Sequence, residues 1–580
     1  MLSRTPCGPG FGFYRKTAWL FTVMAVLYLA LALHAPLAVR GDWIHDDGLF
    51  MQLAVDLSNG NWLGAYDNRT LAKGPGYALF LALGFVLGLP VSLSHALLHV
   101  AACLAFSVAM LRLSHSRWLM WVIYLILLWH PALLYGRVVR DTIYPSQLLL
   151  VCAGFICLLT AIRQGHLRPW VAVGTGIVLG WFWLTREEGI WLLPALAMLA
   201  ILAVGWQIRD RRDWAGWLKG LALVVLAFAA VNLGNRALNR ATYGVFVNTE
   251  FTGGEFKHAL AVLQSVQVGP PQPYVPVPER TRAAIYEQSP AFSELRWYLE
   301  SKDSPGYFWR GFGCPLYPSS CGDMAGGWFM WALRDAVAYS GHYDSAVDAN
   351  TYYRRLANEV QAACQSGALK CRRSWLQFMP RITTEQWLHA PRAALRGLEL
   401  LTFLREKPEA ALTLPTGPPG SRPAEVKRVL GRPLTTPINK VAPDASPDWQ
   451  HAADLPPSRM AKAARHVHQI FIKIYAIVLP LLTVGGLICF FVWAFRLWRH
   501  RSAQDAWMFG VALALWGLLG TRLALLVLID ISAFPGITPY YLLPAYALLC
   551  AAAVLSVYGC FARMPGKPGR MTDDLAAMEG

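Results

Sequence analysis

Long apolar runs recur through this chain and leave it few ways to fold. They lie at about 17–39, 92–113, 118–136, 143–162, 169–185, 189–208, 214–234, 468–495, 506–529 and 540–561. A helix that crosses a bilayer needs ~20 apolar residues, so the pattern predicts about ten spans. The segment Tyr77–Leu89 is also apolar, but at about thirteen residues it is too short to cross and reads as an interfacial or re-entrant helix. With 55% hydrophobic residues and a mean hydropathy of +0.36, an ordinary soluble domain is excluded. The expected fold class is an all-α polytopic membrane protein.

Charge orients the spans. The 580 residues carry a formal net charge of +17, which in a soluble chain would suggest nucleic acid. Here many Lys and Arg residues sit in short turns between apolar runs, where they act as topology signals. No solenoid repeat, zinc-finger spacing or Walker loop is present. Arg4, Arg15 and Lys16 precede the first run, which is longer than a signal-peptide core and reads as an uncleaved signal anchor. With the N-terminus in the cytoplasm, each inside turn is basic: Arg112 and Arg117, then Arg163 and Arg168, then Arg209, Arg211 and Arg212, then Arg496, Arg499 and Arg501, and last Arg563, Lys567 and Arg570. Both termini are then cytoplasmic.

The outer face receives Asp46 and Asp47, Arg137, Arg140 and Asp141, Arg186, Glu187 and Glu188, Asp530, and the long polar segment after residue 234. The expected organisation is a membrane module over 1–234 with its first outer loop at 40–77, an extracytoplasmic domain over 235–467, C-terminal spans over 468–561 and a cytoplasmic tail over 562–580. Seven of the eleven cysteines lie in or near spans or termini. The other four, Cys314, Cys321, Cys364 and Cys371, fall in the outer segment as two C-x6-C pairs, a pattern that fits disulfides in an oxidising compartment. Local pairing is the simplest connectivity, with zinc the weaker alternative. Helical periodicity over Ser345–Gln365 places Tyr353, Leu356, Val360 and Ala363 on one face, with Asp344 or Ser345 as cap. The outer domain should be mostly helical.

Chemistry-bearing residues gather on the outer face. Asp46 and Asp47 follow the first span directly. A carboxylate there is suited to take a proton from a hydroxyl or amine, and a pair splits its pKa values. Helix capping near Gly48 accounts for the two acids equally well. Lys73, in Lys73-Gly74-Pro75-Gly76-Tyr77, suits a phosphate at the membrane surface or simple snorkelling. Arg137 and Arg140 break the positive-inside trend, which favours bidentate phosphate binding over topology; the alternative is an ion pair with Asp141 or the first-loop acids. Thr185-Arg186-Glu187-Glu188 either contacts a polar substrate or caps the next helix. Arg522 lies inside a span, a functional position unless it serves an interior acid.

The run Asp46-Asp47-Gly48-Leu49-Phe50, then Gly60-Asn61-Trp62, then Lys73-Gly74-Pro75-Gly76-Tyr77, resembles the first outer loop of the GT-C membrane glycosyltransferases. It is most similar to the branch holding the protein O-mannosyltransferases and the aminoarabinose transferase of lipid A. The likeness covers the first seven spans in layout, and Tyr540–Pro544 is similar to a late Arg-Tyr-Leu-Leu-Pro-like motif. It says little about the outer domain. The resemblance implies a polyprenyl-phosphate sugar donor, inverting transfer, Asp46 as base with Asp47 beside it, and lipid-phosphate contacts at Lys73, Arg137 and Arg140. Tyr77, Asp141, Arg186, Glu187 and Tyr540 complete the expected substrate-binding set. Three positions depart from the family pattern: Asp47 stands where Glu is frequent, Gly74 where Pro is usual, and Tyr540 where Arg is usual.

The expectation is therefore a glycosyltransferase of the bacterial inner membrane. Its acceptor is a glycan, lipid or protein at the periplasmic face, its partners are the donor lipid and the bilayer, no nucleic acid or organic cofactor is expected, and a divalent metal is not indicated by the residues. The rivals are a flippase for lipid-linked glycans, which needs polar residues at the midplane and paired repeats, and a non-catalytic assembly protein.

Overall fold

A computed structural model describes residues 11–35, 44–134, 137–209, 214–372, 382–404, 459–500 and 503–562. Among these residues the regular structure is helical, with no strand, as the hydropathy pattern predicts for a polytopic chain. Six helices are long and apolar enough to cross a bilayer: Val91–Ser114, Arg140–Arg163, Trp214–Tyr243, Arg459–Arg499, Asp505–Ser532 and Leu543–Phe561.

One expected span is much shorter than the sequence suggests. The run at 118–136 folds as Arg117–Leu128, of 12 residues. At 1.5 Å per residue it is about 18 Å long, against a hydrocarbon core of ~30 Å. Its end has a local cause: Pro131 disfavours helix in the residues before it. The runs at 169–185 and 189–208 give helices Pro169–Thr185 and Leu193–Arg209, of 17 residues each. The first run gives Phe11–His34, which stops just before Ala35-Pro36. The short apolar segment after Lys73 is the 11-residue helix Gly76–Val86, as its length predicts.

The last span is the axis of the bundle. Leu543–Phe561 is buried almost throughout and packs against Arg459–His500, Ala503–Ser532, Arg117–Leu128 and Tyr144–Arg163. Its small residues permit this close approach. A Cβ added at Gly486 would come within 2.5 Å of Ala553, and one at Gly559 within 2.5 Å of the Trp493 ring.

The outer segment has its own core, built from Phe256, Leu260, Phe292, Phe329, Tyr353 and Leu356 among others. The expected helix is Ala346–Gln365, capped by Ser345, whose Oγ accepts from the Asp348 N–H at 3.1 Å; Tyr353, Leu356, Val360 and Ala363 line its buried face. Cys314 bonds Cys321 and Cys364 bonds Cys371, the local pairing.

Both ends of this segment differ from the expected boundaries. The Trp214–Tyr243 helix runs on past residue 234 because polar side chains keep it wound. Asn239 donates to the Val247 carbonyl at 2.7 Å, Asn235 to Asn248 at 3.0 Å, and Asn248 to Asn232 at 3.0 Å. Helix Thr384–Phe403 lies within 235–467 in sequence, yet it packs on the spans. Gln386 donates to the Ile531 carbonyl at 2.7 Å, and Tyr546 donates to the Leu400 carbonyl at 3.1 Å.

Candidate active site

Residues Ile44–Gly48 make one wide helical turn that runs directly into helix Leu49–Ser58. That helix starts without a side-chain cap, so the acids do not serve it in that way. The turn sends the two carboxylates to different environments. Asp47 is fully buried, and the Asp46 side chain keeps 31% of its exposure.

Asp47 pairs with Arg137. Nε of the guanidinium donates to both carboxylate oxygens at 3.0 and 3.1 Å, and Nη2 donates to Oδ1 at 2.7 Å. Asp46 pairs with Lys73. The Lys73 ammonium lies 5.8 Å from the centre of the Phe50 ring and 5.6 Å from that of Trp331, within cation–π range of both.

The turn that carries Lys73 owes its shape to two glycines. A Cβ on Gly74 would stand 2.0 Å from the Leu184 carbonyl oxygen, and one on Gly76 would stand 2.5 Å from Thr185 Oγ1. Backbone therefore lies against backbone at the end of helix Pro169–Thr185. The Gly74 N–H donates to Glu187 at 3.0 Å, and the Trp181 indole donates to the Gly76 carbonyl at 2.8 Å. A proline at 74 would remove a used donor and collide with Leu184.

The remaining charges form a second layer. Arg140 pairs with Glu187 at 2.6 Å. Arg186 bridges Asp141 and Glu188, the latter at 2.9 Å. Arg522 reaches Glu188 at 3.0 Å and donates to the Tyr541 carbonyl at 2.8 and 3.2 Å. The intramembrane arginine thus serves an acid on a distant loop. Tyr540 and Tyr541 supply ring faces, 5.4 Å from the Arg137 guanidinium and 5.0 Å from that of Arg186.

Cations and anions in this cluster balance. Lys73, Arg137, Arg140, Arg186 and Arg522 each meet one or more of Asp46, Asp47, Asp141, Glu187 and Glu188. An anionic ligand must therefore compete with a carboxylate for its cation. Exposure favours one place for that exchange, since Arg137 and Asp47 are buried while Asp46 is partly open. Among the described residues no three His, Cys, Asp or Glu side chains converge to hold a metal.

Electrostatics sharpen the contrast. Burial pushes the Asp46 carboxyl upward, but the Lys73 ammonium, with Arg140 and Arg137 behind it, overrides this and holds it well below the usual carboxylate range. Glu188 is lowered to about 2: burial raises it, and Arg186 and Arg522 more than offset that. Burial lowers Lys73, against the pull of Asp46. Asp46 is thus a carboxylate at neutral pH, and a weak base for as long as Lys73 stays on it.

The outer segment reaches into this site. Helix Gly326–Tyr339 places Trp331 over Lys73. One turn on, Arg334 donates to the Asn68 and Thr70 carbonyls at 2.7 and 3.1 Å and pairs with Glu250. Asp335 accepts from Asn68 at 2.6 Å and from the Trp309 indole at 3.0 Å. The 66–73 loop is therefore held between the membrane bundle and the outer helix.

Of the expected residues, the structure brings together Asp46, Asp47, Lys73, Arg137, Arg140, Asp141, Arg186, Glu187 and Tyr540. Tyr77 is fully buried; its ring meets that of Phe50 edge-on at 5.3 Å and its hydroxyl meets His95 Nε2 at 3.1 Å. Asp530 is outside the site, since Oδ1 accepts from the Gly536 and Ile537 N–H groups, both at 3.0 Å, and shapes a loop. Trp331 joins the site without a sequence signal, because an aromatic side chain beside an apolar run reads as core; Phe50 and Tyr541, which join it too, lie within the two motifs quoted above.

No protein-family model matches the chain, and no curated protein matches it. Two solved structures are similar to it, both crystal structures of ArnT from Cupriavidus metallidurans. The apo state is 16% identical, covers 93% of this chain and 78% of that one, and has a TM-score of 0.31. The structure bound to undecaprenyl phosphate is 15% identical over the same shares, with a TM-score of 0.29. At those scores the likeness carries nothing for the chemistry, which rests on the charged residues themselves.

Proposed function

We propose that the chain is a membrane glycosyltransferase that moves a sugar from a polyprenyl-phosphate carrier to a hydroxyl- or amine-bearing glycan, lipid or protein. The observation that carries this reading is the Asp46–Lys73 pair. It is the most open pair of a balanced charge network at the end of a membrane bundle: Asp46 keeps 31% of its side-chain exposure, more than any other member. In this reading the site end faces the periplasm, because the basic turns lie at the opposite end.

The donor phosphate takes Lys73 away from Asp46. That one exchange does two things. It neutralises the leaving group, and it removes the ammonium that held the Asp46 carboxyl low, so the carboxylate becomes a stronger base. The acceptor oxygen or nitrogen then forms a bond to the anomeric carbon as the carbon–oxygen bond to phosphate breaks. The proton goes to Asp46. The electron pair leaves on the phosphate, held by Lys73. Asp47 and Arg137 stay paired and keep the turn in place. A small cavity lined by Gly48, Gln52, Asp56, Asp67, Arg69 and Thr70 adjoins this turn and is assigned to the acceptor.

The test is transfer from a radiolabelled polyprenyl-phosphate sugar in proteoliposomes. Asp46→Asn should lower turnover by about 10²–10⁴-fold, the usual contribution of a general base, while the protein stays folded. Undiminished turnover in that variant would remove Asp46 from the role. Absence of turnover by the unmodified protein with every such donor would favour a flippase or an assembly protein.

A further inference from the structure

Helix Thr384–Phe403 divides into three sectors. One is packed on the bundle through Gln386, Ala393, Gly397, Leu400 and Leu401. A second is apolar yet exposed: Trp387, Leu388, Leu395 and Leu398 project away from the protein, and with Pro391 they follow the spacing of one helical face. The third is polar, with His389, Arg392 and Arg396 on one side. A helix buried in protein has no use for the second sector, and a helix in water has a strong reason to avoid it.

The position of the helix accounts for the pattern. Its N-terminal capping box, formed by Thr383 and Gln386, is tied to Ile531 at the site end of one span. Next to it stands helix Arg459–His500, long and apolar enough to cross a bilayer, whose Ile470, Ile474, Ile477 and Leu481 are exposed. That helix has 42 residues, about 63 Å, or twice the hydrocarbon thickness. Its first turns therefore project beyond the apolar layer. They are cationic and exposed, with Arg459, Lys462 and Arg465 and no acid. They lie at the site end, because His468 contacts the Pro131 carbonyl at 2.9 Å, on the loop that leads to Arg137.

We infer that Thr384–Phe403 lies against the membrane at the site end of the bundle, where it and the start of helix Arg459–His500 form a docking surface for anionic phospholipids. The Trp387–Leu398 arc enters the acyl region. Arg459, Lys462 and Arg465, joined by Arg392 and Arg396, meet the headgroup phosphates. Glu385 and Glu399 offset only part of this charge. Cations at this end run against the topology rule, as Arg137 and Arg140 do, so orientation does not explain them. The inference is independent of sugar transfer.

Two measurements test it in the full-length protein. A photo-crosslinking residue replaces Leu388 or Leu395, and Glu385 as control, in nanodiscs of phosphatidylcholine and phosphatidylglycerol. Phospholipid adducts at 388 and 395 but not at 385 are expected. Their absence, or crosslinks to a second copy of the chain, would overturn the membrane placement. Next, the melting temperature is compared in pure phosphatidylcholine and in the mixed bilayer. The anionic lipid should raise it, and Lys462→Gln/Arg465→Gln should lose most of that rise, with Lys462→Glu/Arg465→Glu losing all of it. An equal rise in the unmodified protein and both double variants would overturn the headgroup assignment.

Discussion

Arg137 holds both oxygens of Asp47 in a pair from which water is excluded, while Asp46, the preceding residue, meets Lys73 at the open side of the same turn. Two adjacent acids that look alike in the sequence therefore have different work.

This difference is measurable. Asp47→Ala leaves the Arg137 guanidinium buried without its carboxylate and should cost about 3–5 kcal/mol of stability, as loss of one partner of a buried pair does. Asp46→Asn should change stability little and turnover greatly. Thermal melting and transfer assays on the two variants check this, and equal losses of stability in both would contradict it.

Lys73→Met should change the pH profile. A carboxylate base works above its pKa, so the acid limb of kcat/KM in the unmodified protein should lie below the usual carboxylate range. Without the ammonium, burial dominates and the limb should move upward, with a higher KM for the donor. An unmoved limb would show that Lys73 does not control Asp46.

Gly74→Ala tests the close contact at Leu184. The added Cβ would stand 2.0 Å from a backbone oxygen, which has no rotamer by which to escape. The expected cost is about 1–3 kcal/mol, with a displaced Lys73. Gly60→Ala, where no heavy atom lies within 4 Å but φ is +84°, serves as a control for backbone strain alone. Melting temperature and donor KM should both respond in Gly74→Ala, and only the former in the control.

Asp335, on the outer helix, is raised to about 6, because burial disfavours its charge more than Trp309, Arg69, Asn68 and Arg334 favour it. A carboxyl raised on folding contributes stability that is fully present below its ordinary value near 3.8 and is lost as pH rises through 6. Asp335→Asn should therefore reduce the fall in melting temperature between about pH 4 and 7. A slope unchanged by the substitution would exclude Asp335 as its source.

The sequence by itself determined the class of the protein, because burial of apolar surface is a sum over local residues. The all-α bundle, the short helix after Lys73 and the capped helix Ala346–Gln365 were all legible from periodicity and length. Charge placement gathered most of the site onto one face. The tertiary structure alone decided who pairs with whom. Asp46 meets Lys73 across 27 residues, Asp47 meets Arg137 across 90, and Glu188 meets Arg522 across 334. The strength of an ion pair depends on distance and on the water excluded around it, and neither quantity is local in sequence. For the same reason Trp331, on a helix of the outer segment, gave no sign that it covers Lys73. For helix Thr384–Phe403 only the packing on Ile531 and Leu523 set which face meets the protein.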